Sequence, residues 1–540
     1  MQRKLLTHLL LLTITLLFWS GCGDETQTPV ETKYDLEYKG LSFFYQNQTS
    51  SSYRLAQLSD SEFNALLPEQ QLQVADNLLS SLFFGYPLKE LELMISSGDF
   101  ISRIRNGLNV DETDKEWLES YILDKAYFRQ NASTQEAVDI LSRFYAMKKL
   151  DRYFLNNWAA YILTQTIMFS PAYELDSTHT PNISRVYNRL VSAFEDESGM
   201  RFTTYVHMMS EDNWRRFRSP EDNGREMMEI FLEDEDDALV PLAGKALQNW
   251  KLNRDNDTLV IGRNENREPL ALFGTTVYNG DDFYREMVKT AAFQHTVVAR
   301  LVDFFFPDAT VAKKAQLTSS IVAGHPETYQ DVLMQIVFSK EYLLHNTRAK
   351  SAEELFYSLA KKVSFNHRDT TFDYFRRALE DMHQASMKYK LGKSERVPLD
   401  TLSFANYHSY IRDNIFMRKS DPDYAEVFDS WSRQGWGETF IDNENFDFDV
   451  DYEEESFTSM IDYIFKSLIS RKATEPEMQM LLDHMQGPEA LRYTFTIFYT
   501  NDNNATKQTL YREYYKRNVV TIVFDYISRL ERLYMQEEIK

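Results

Sequence analysis

The run Asp282-Phe-Tyr-Arg-Glu-Met-Val-Lys-Thr-Ala-Ala-Phe-Gln-His-Thr-Val-Val-Ala-Arg-Leu-Val-Asp-Phe-Phe-Phe306 decides the fold class. Its apolar residues recur at three- and four-residue spacing, the stripe of a helix packed on a core rather than the alternation of a strand. The same spacing returns in Gln71–Ser97, Thr134–Ser170, Thr328–Leu344, Ala352–Leu359 with Phe372–Tyr389, and Phe457–Ile469 with Pro476–Met485. Composition agrees. The 540 residues contain only 17 Gly and 14 Pro, roughly half the usual share of about 12%, and helix interiors exclude both. We therefore expect an all-α, multi-helix domain. The 37 Phe and 32 Tyr fall on the apolar faces, where large rings fill helix–helix contacts.

Two stretches interrupt the helical pattern. Asp257–Gly262 and Pro269–Gly274 are short β-prone runs separated by Arg-Asn-Glu-Asn-Arg-Glu, and they predict one small inserted β-hairpin at about 257–274. Ser420–Glu455 is rich in Asp, Asn, Ser and Gly and reads as a boundary. The expected organisation is a leader (1–21), a flexible tether (22–57), a helical core domain (58–417), an acidic linker (418–456) and a C-terminal helical segment (457–540). A loose echo recurs where helices end in Ser followed by an aromatic three residues on, at Ser97/Phe100, Ser170/Tyr173 and Ser339/Tyr342. There the Ser is expected to cap the next turn.

At the N-terminus, Arg3 and Lys4 precede an apolar run from Leu5 to Phe18. That run is too short to cross a bilayer, which needs about 20 residues, and has the length of a signal-peptide core. It closes with Leu-Phe-Trp-Ser20-Gly21-Cys22, and Cys22 is the one cysteine of the chain. Small residues before a lone Cys resemble the bacterial lipoprotein box, although Trp19 stands where Leu is usual. The resemblance implies that Cys22 carries lipid (palmitate among its acyl chains) and becomes the mature N-terminus. Gly23 after it resembles an outer-membrane sorting signal. The alternatives are an uncleaved anchor or a secretory signal with an incidental Cys.

Charge and motifs narrow the function classes. Cleavage before Cys22 would leave 57 basic against 82 acidic side chains, a balance of −25. Such a surface disfavours nucleic-acid binding and makes the lipid, not a basic patch, the means of membrane attachment. A single Cys excludes a disulfide framework, a Cys-based zinc site and an iron–sulfur cluster. No GxSxG, Walker A, GxGxxG or HExxH pattern is present. His207 with Glu211, and Asp381 with His383, are pairings at chance frequency, for which structural roles are expected. No metal site is expected. Asp502-x-Asn504-x-Thr506 with Glu513 has calcium-loop spacing, but Lys507 sits where the sharp turn needs Gly. The acidic runs Glu233–Asp237 and Asp447–Glu455 read as solvated loops.

The most informative polar segment is Ser219-Pro-Glu-Asp-Asn-Gly-Arg-Glu-Met-Met-Glu-Ile-Phe231. Ser219 at the N-cap, Pro220 at N1 and Asp222 at N3 form a helix-start signature. Met227, Ile230 and Phe231 define a buried face with Asn223 and Glu226 at its edge and Arg225 and Glu229 opposite. An inward carboxylate needs a cation, which Trp214-Arg-Arg-Phe-Arg218 could supply. Asn223, Arg225, Glu226 and Glu229 are thus a candidate polar cluster, either a structural lock at the helix start or a binding site. If it is a lock, Glu226→Gln is expected to cost roughly 1–4 kcal/mol.

That segment, with 246–252 (ALQNWKL), 273–306, 337–343 (VFSKEYL), 379–384 (LEDMHQ), 401–407 (TLSFANY) and the opening pair 74–98, resembles the bacterial family catalogued as domain of unknown function 1800. The likeness spans roughly residues 74–415 and more loosely the helices to about 535. It implies an exported or envelope protein of unestablished biochemical role, with a sulfatase-like exported protein as a possible partner. The chain departs from that family at Phe154-Leu-Asn-Asn-Trp158, where a Trp-His-Asn-His-like run is usual, and at Asn264-Glu265-Asn266, where a His-Asp pair is common. The expectation is an outer-membrane lipoprotein, periplasmic or surface-facing, acting as a helical binding or scaffold protein without a cofactor. An enzyme or accessory acting on envelope glycans, centred on Asn223 and Glu226, is the competing reading.

Overall fold

A computed structural model describes residues 52–123, 132–168, 183–214, 219–233, 236–253, 258–363, 457–486 and 526–539, with short strands at 28–29, 417–418 and 438–439 and a few isolated positions. The described chain is mostly helical, as the spacing predicts. After a two-residue strand β1 (Thr28–Pro29), helices α1 (Asp60–Asn64), α2 (Pro68–Ser81), α3 (Leu88–Ser96), α4 (Phe100–Gly107), α5 (Lys115–Leu123), α6 (Ala132–Ala146) and α7 (Arg152–Thr166) follow. Then come α8 (Ile183–Glu195), α9 (Met200–Met208), α10 (Glu211–Trp214), α11 (Pro220–Leu232) and α12 (Val240–Ala246). Beyond the strands described below lie α13 (Gly280–Lys289), α14 (Ala291–Phe305), α15 (Val311–Val322), α16 (Tyr329–Val337) and α17 (Lys340–Leu343).

Several apolar runs resolve into helix pairs, because a capping residue stops one helix and starts the next. In 282–306 the break is Thr290, extended at φ −63° and ψ 153°. Its hydroxyl accepts the Phe293 N–H at 3.1 Å, satisfying a first-turn donor of α14. Ser339 starts α17 in the same way, accepting the Tyr342 N–H at 3.1 Å while Tyr342 itself is fully buried. Ser97 does not repeat this, since α4 begins from Asp99 without a side-chain cap. Ser170 lies outside the described residues.

Helix α7 runs through the middle of the molecule. Every residue from Tyr153 to Thr166 is buried, the mark of a helix surrounded by others, and α8, α14 and α16 pack on it. Its polar groups are tied inward. Trp158 Nε1 donates to the Ser81 carbonyl at 2.9 Å, and Tyr161 OH donates to Glu353 Oε1 at 2.8 Å. Phe83, Phe144, Phe154 and Tyr161 meet edge-on with ring centroids 5.3–6.0 Å apart, the geometry ring quadrupoles favour.

The β-prone runs correct the expected hairpin. The runs at 257–262 and 269–274 do not pair with each other. Each pairs with a neighbour, β2 (Trp250–Asn253) with β3 (Thr258–Ile261) and β4 (Leu270–Leu272) with β5 (Thr275–Val277), both antiparallel. The cause of the second is the turn Phe273-Gly274, where φ is +55° and +73°. Two successive positive φ values make the two-residue turn whose twist matches antiparallel strands. β1 adds to the other edge of β3.

Residues 52–57 and the C-terminal residues close on neighbouring parts of the chain, between 324 and 350. Residues 52–57, the end of the expected tether, are held on the core: the Ser52 N–H donates to the Gly324 carbonyl at 2.8 Å. Gln335 Oε1 accepts the Arg54 and Leu55 N–H groups at 2.8 and 3.0 Å. After β6 (Arg348–Ala349), α18 (Ala352–Lys362) and the strand pair β7 (Met417–Arg418) and β8 (Glu438–Thr439) come α19 (Phe457–Ile469) and α20 (Glu475–Gln486). The C-terminal segment is packed into the body rather than set apart. α19 lies on α3 and α18, and after α21 (Glu531–Tyr534) strand β9 (Met535–Gln536) pairs antiparallel with β6.

Candidate functional site

Helix α11 starts as its sequence predicts, with the Asp222 N–H donating to Ser219 Oγ at 3.1 Å. The four candidate residues on it do not converge. Asn223 is wholly buried, and its Oδ1 accepts the Tyr284 hydroxyl of α13 at 2.6 Å. Trp214 and Trp250 stack beside this bond with centroids 6.0 Å apart, and Trp250 meets Tyr284 edge-on at 5.8 Å. Burial pushes the Tyr284 phenol far above its usual range, so it stays protonated as the donor. Arg225 points to solvent, 2.8 Å from Asp222 Oδ1 and 3.9 Å from Glu229 Oε1. Glu226 and Glu229 are half-buried at the surface.

Gly224 explains how deeply Asn223 is buried. A Cβ at Gly224 would sit 2.6 Å from Ala243 Cβ, so α12 approaches the α11 backbone directly at that position. The buried face is thereby centred on Asn223, Gly224 and Met227, with Glu226 half-buried at its edge. At the helix start the buried lock is Asn223 with Tyr284. Arg215, Arg216 and Arg218, the expected cation source, lie outside the described residues, as do Cys22, Asp381, His383, the 447–455 acidic run and the 502–513 loop.

The most strongly charged buried constellation escaped the sequence reading. It gathers α2, the segment after α17, and α18. Asp76 of α2 lies between Lys350, 3.0 Å from its Oδ2, and Lys362, 2.5 Å from its Oδ1. Next to it, Arg348 clasps Glu354 through two nitrogens at 2.5 and 2.8 Å, a bidentate pair. Arg348 also reaches Ser81 Oγ at 3.2 Å and the Tyr342 hydroxyl, which lies 2.7 Å from Ser81 Oγ. Glu354 Oε2 further accepts the Ser351 N–H at 2.6 Å, one half of a capping box that starts α18.

Burial alone would raise the Asp76 carboxyl, yet the two ammonium groups hold it down at about 2. Burial pushes the Lys362 ammonium below its usual value, against the pull of Asp76. Arg348 stays firmly charged, since Glu354 and Tyr342 outweigh its desolvation, while burial pushes the Tyr342 phenol up to about 12. These charges are spent on one another, and the arrangement fastens α2 to the distant stretch 342–362.

The other polar pairings also resolve to framework. Glu211 accepts Arg189 at 3.0 Å rather than partnering His207. His207 is buried beside a cavity of about 10 Å³ lined with Val186, Phe202 and Val206, room for about one water. Where the resemblance expects histidines, amides bond one helix to another. Asn157 Oδ1 accepts the Tyr187 hydroxyl at 2.5 Å, and Gln330 Nε2 donates to Asn156 Oδ1 at 3.2 Å. Asn266 donates to the Glu268 and Tyr278 carbonyls at 2.8 and 2.6 Å, bracing β4 and β5. Among the described residues, no group of three or more His, Cys, Asp or Glu is placed to hold a metal ion, and no helix is long and apolar enough to cross a membrane. No protein-family model matches the chain, and neither a curated protein nor a solved structure matches it.

Proposed function

We propose that the chain is a lipid-anchored envelope lipoprotein whose helical body binds or scaffolds a protein partner. The leader of residues 1–21, directly before Cys22, supports the anchor, with the outer membrane as its destination. The scaffold half rests on one observation: among the described residues the buried charges and amides pair with each other across the core, Asp76 with Lys350 and Lys362, Arg348 with Glu354, and Asn223 with Tyr284. A glycan-active reading centred on Asn223 and Glu226 would need a cleft with polar groups converging on both. We also propose that the chain is a divergent member of the domain-of-unknown-function-1800 family, with an exported protein as its partner.

The test is crosslinking in intact cells, followed by affinity purification of a C-terminally tagged protein. A stoichiometric envelope protein that disappears when surface residues are changed, with Tm constant, is the expected result. A clean eluate at several crosslinker lengths would contradict the scaffold reading and make glycan turnover the next assay.

A further inference from the structure

The C-terminal residues 530–539 lie as a strap across the segment that carries Arg348 and Lys350. The Lys350 N–H donates to the Tyr534 carbonyl at 2.7 Å and the Ile539 N–H to the Leu344 carbonyl at 2.9 Å. Gln536 is the pivot, its Nε2 donating to the Tyr342 carbonyl at 2.7 Å and its Oε1 accepting Arg348 Nε at 3.1 Å. Arg532 reaches the Ile469 carbonyl and Gln73 Oε1, both at 3.0 Å. Leu533 and Tyr534 are the strap's buried apolar side chains.

We propose that this strap is a latch. It leaves its seat as a unit while the helical body stays folded, and the open seat is a groove for an extended peptide strand of a protein partner. The partner's identity as a protein rests on the function proposed above; the opening does not.

Three observations carry the inference. First, what opening breaks between strap and body is hydrogen bonds and, at the exposed surface, the contact of Glu538 with His345 at 3.8 Å, which water replaces at little cost. Arg532 pairs with Glu537 inside the strap at 2.7 Å. Second, the body's buried charges keep their partners when the strap leaves, because Arg348 retains Glu354 and Lys350 retains Asp76. Opening therefore strands no buried charge, the cost that would otherwise forbid it. Third, the vacated edge of β6 presents the backbone groups that now pair with β9, a template for strand addition. An exposed turn at Arg529 precedes the strap and supplies the hinge.

Amide hydrogen exchange on the full chain tests the latch. Sub-global opening should make the Lys350 and Ile539 amides exchange at least about tenfold faster than the Leu333 and Ile336 amides of α16. Equal rates, showing that the strap opens only with global unfolding, would overturn the latch. A chain ending at Arg529 tests the groove, with a fluorescent peptide of residues 530–540 as the probe. One-site saturable binding, weakened about tenfold by Gln536→Ala in the peptide, is expected for the loss of a buried bond pair. A folded truncated chain that ignores the peptide would overturn the groove. Should that chain fail to fold, exchange on the full chain decides. A missing cellular partner would count against the scaffold reading and leave the exchange result untouched.

Discussion

Asp76 is buried between two lysines more than 270 positions away in sequence, so its effects should be large and pH-dependent. Asp76→Asn should destabilise the protein by about 3–5 kcal/mol, because it leaves Lys350 and Lys362 buried against a neutral amide; urea unfolding at pH 7 reads this directly. The folded carboxyl titrates at about 2 against an ordinary 3.8, so its contribution is present above pH 4 and lost as pH falls toward 2. That fall should amount to about 2 kcal/mol and be absent in Asp76→Asn. On α11, Asn223→Ala should cost about 1–3 kcal/mol by leaving the buried Tyr284 hydroxyl without its acceptor, read as a fall in Tm. Asn223 was legible because its helix face is local information. Asp76 was not, since the run Val-Ala-Asp-Asn-Leu-Leu shows an acid among apolar residues but carries no sign of where its cations lie.

Helices were legible where their signals are local: apolar spacing gave the runs, and Ser219 gave the start of α11. Strand partners were less so, because alternation marks a strand without naming its neighbour. The runs at 257–262 and 269–274 look like two arms of one hairpin, and only the strand registers show that each pairs with a different neighbour. Close helix crossings are similarly hidden, since a glycine inside a helix can be tolerated or required. Gly224 is required. Gly224→Ala should force α11 and α12 apart and cost about 1–3 kcal/mol as an overpacked contact, read as a fall in Tm. Ala243→Gly in the same chain should recover part of that loss by removing the opposing methyl.

For the molecule as a whole, composition and periodicity foretold a helical body, but not that residues 52–58 and 530–539 would close on one region. Residues 52–58 lie along α16 and α17, and the C-terminal strap lies on β6, so segments nearly 500 positions apart brace the region 335–350. Such contacts follow from topology and leave no trace in local patterning. They also make the C-terminal segment part of the body, although the acidic stretch before it reads as a boundary. The proposed anchor lies at the opposite end of the chain, where Cys22 is the sole residue able to carry the lipid. Mass spectrometry of the mature protein purified from the membrane fraction, alongside a Cys22→Ser variant, tests that claim most directly. The account predicts an N-terminal peptide beginning at a lipid-modified Cys22, and a Cys22→Ser protein that keeps its uncleaved leader and carries no lipid. An unmodified Cys22, or a mature protein that begins elsewhere, would contradict it.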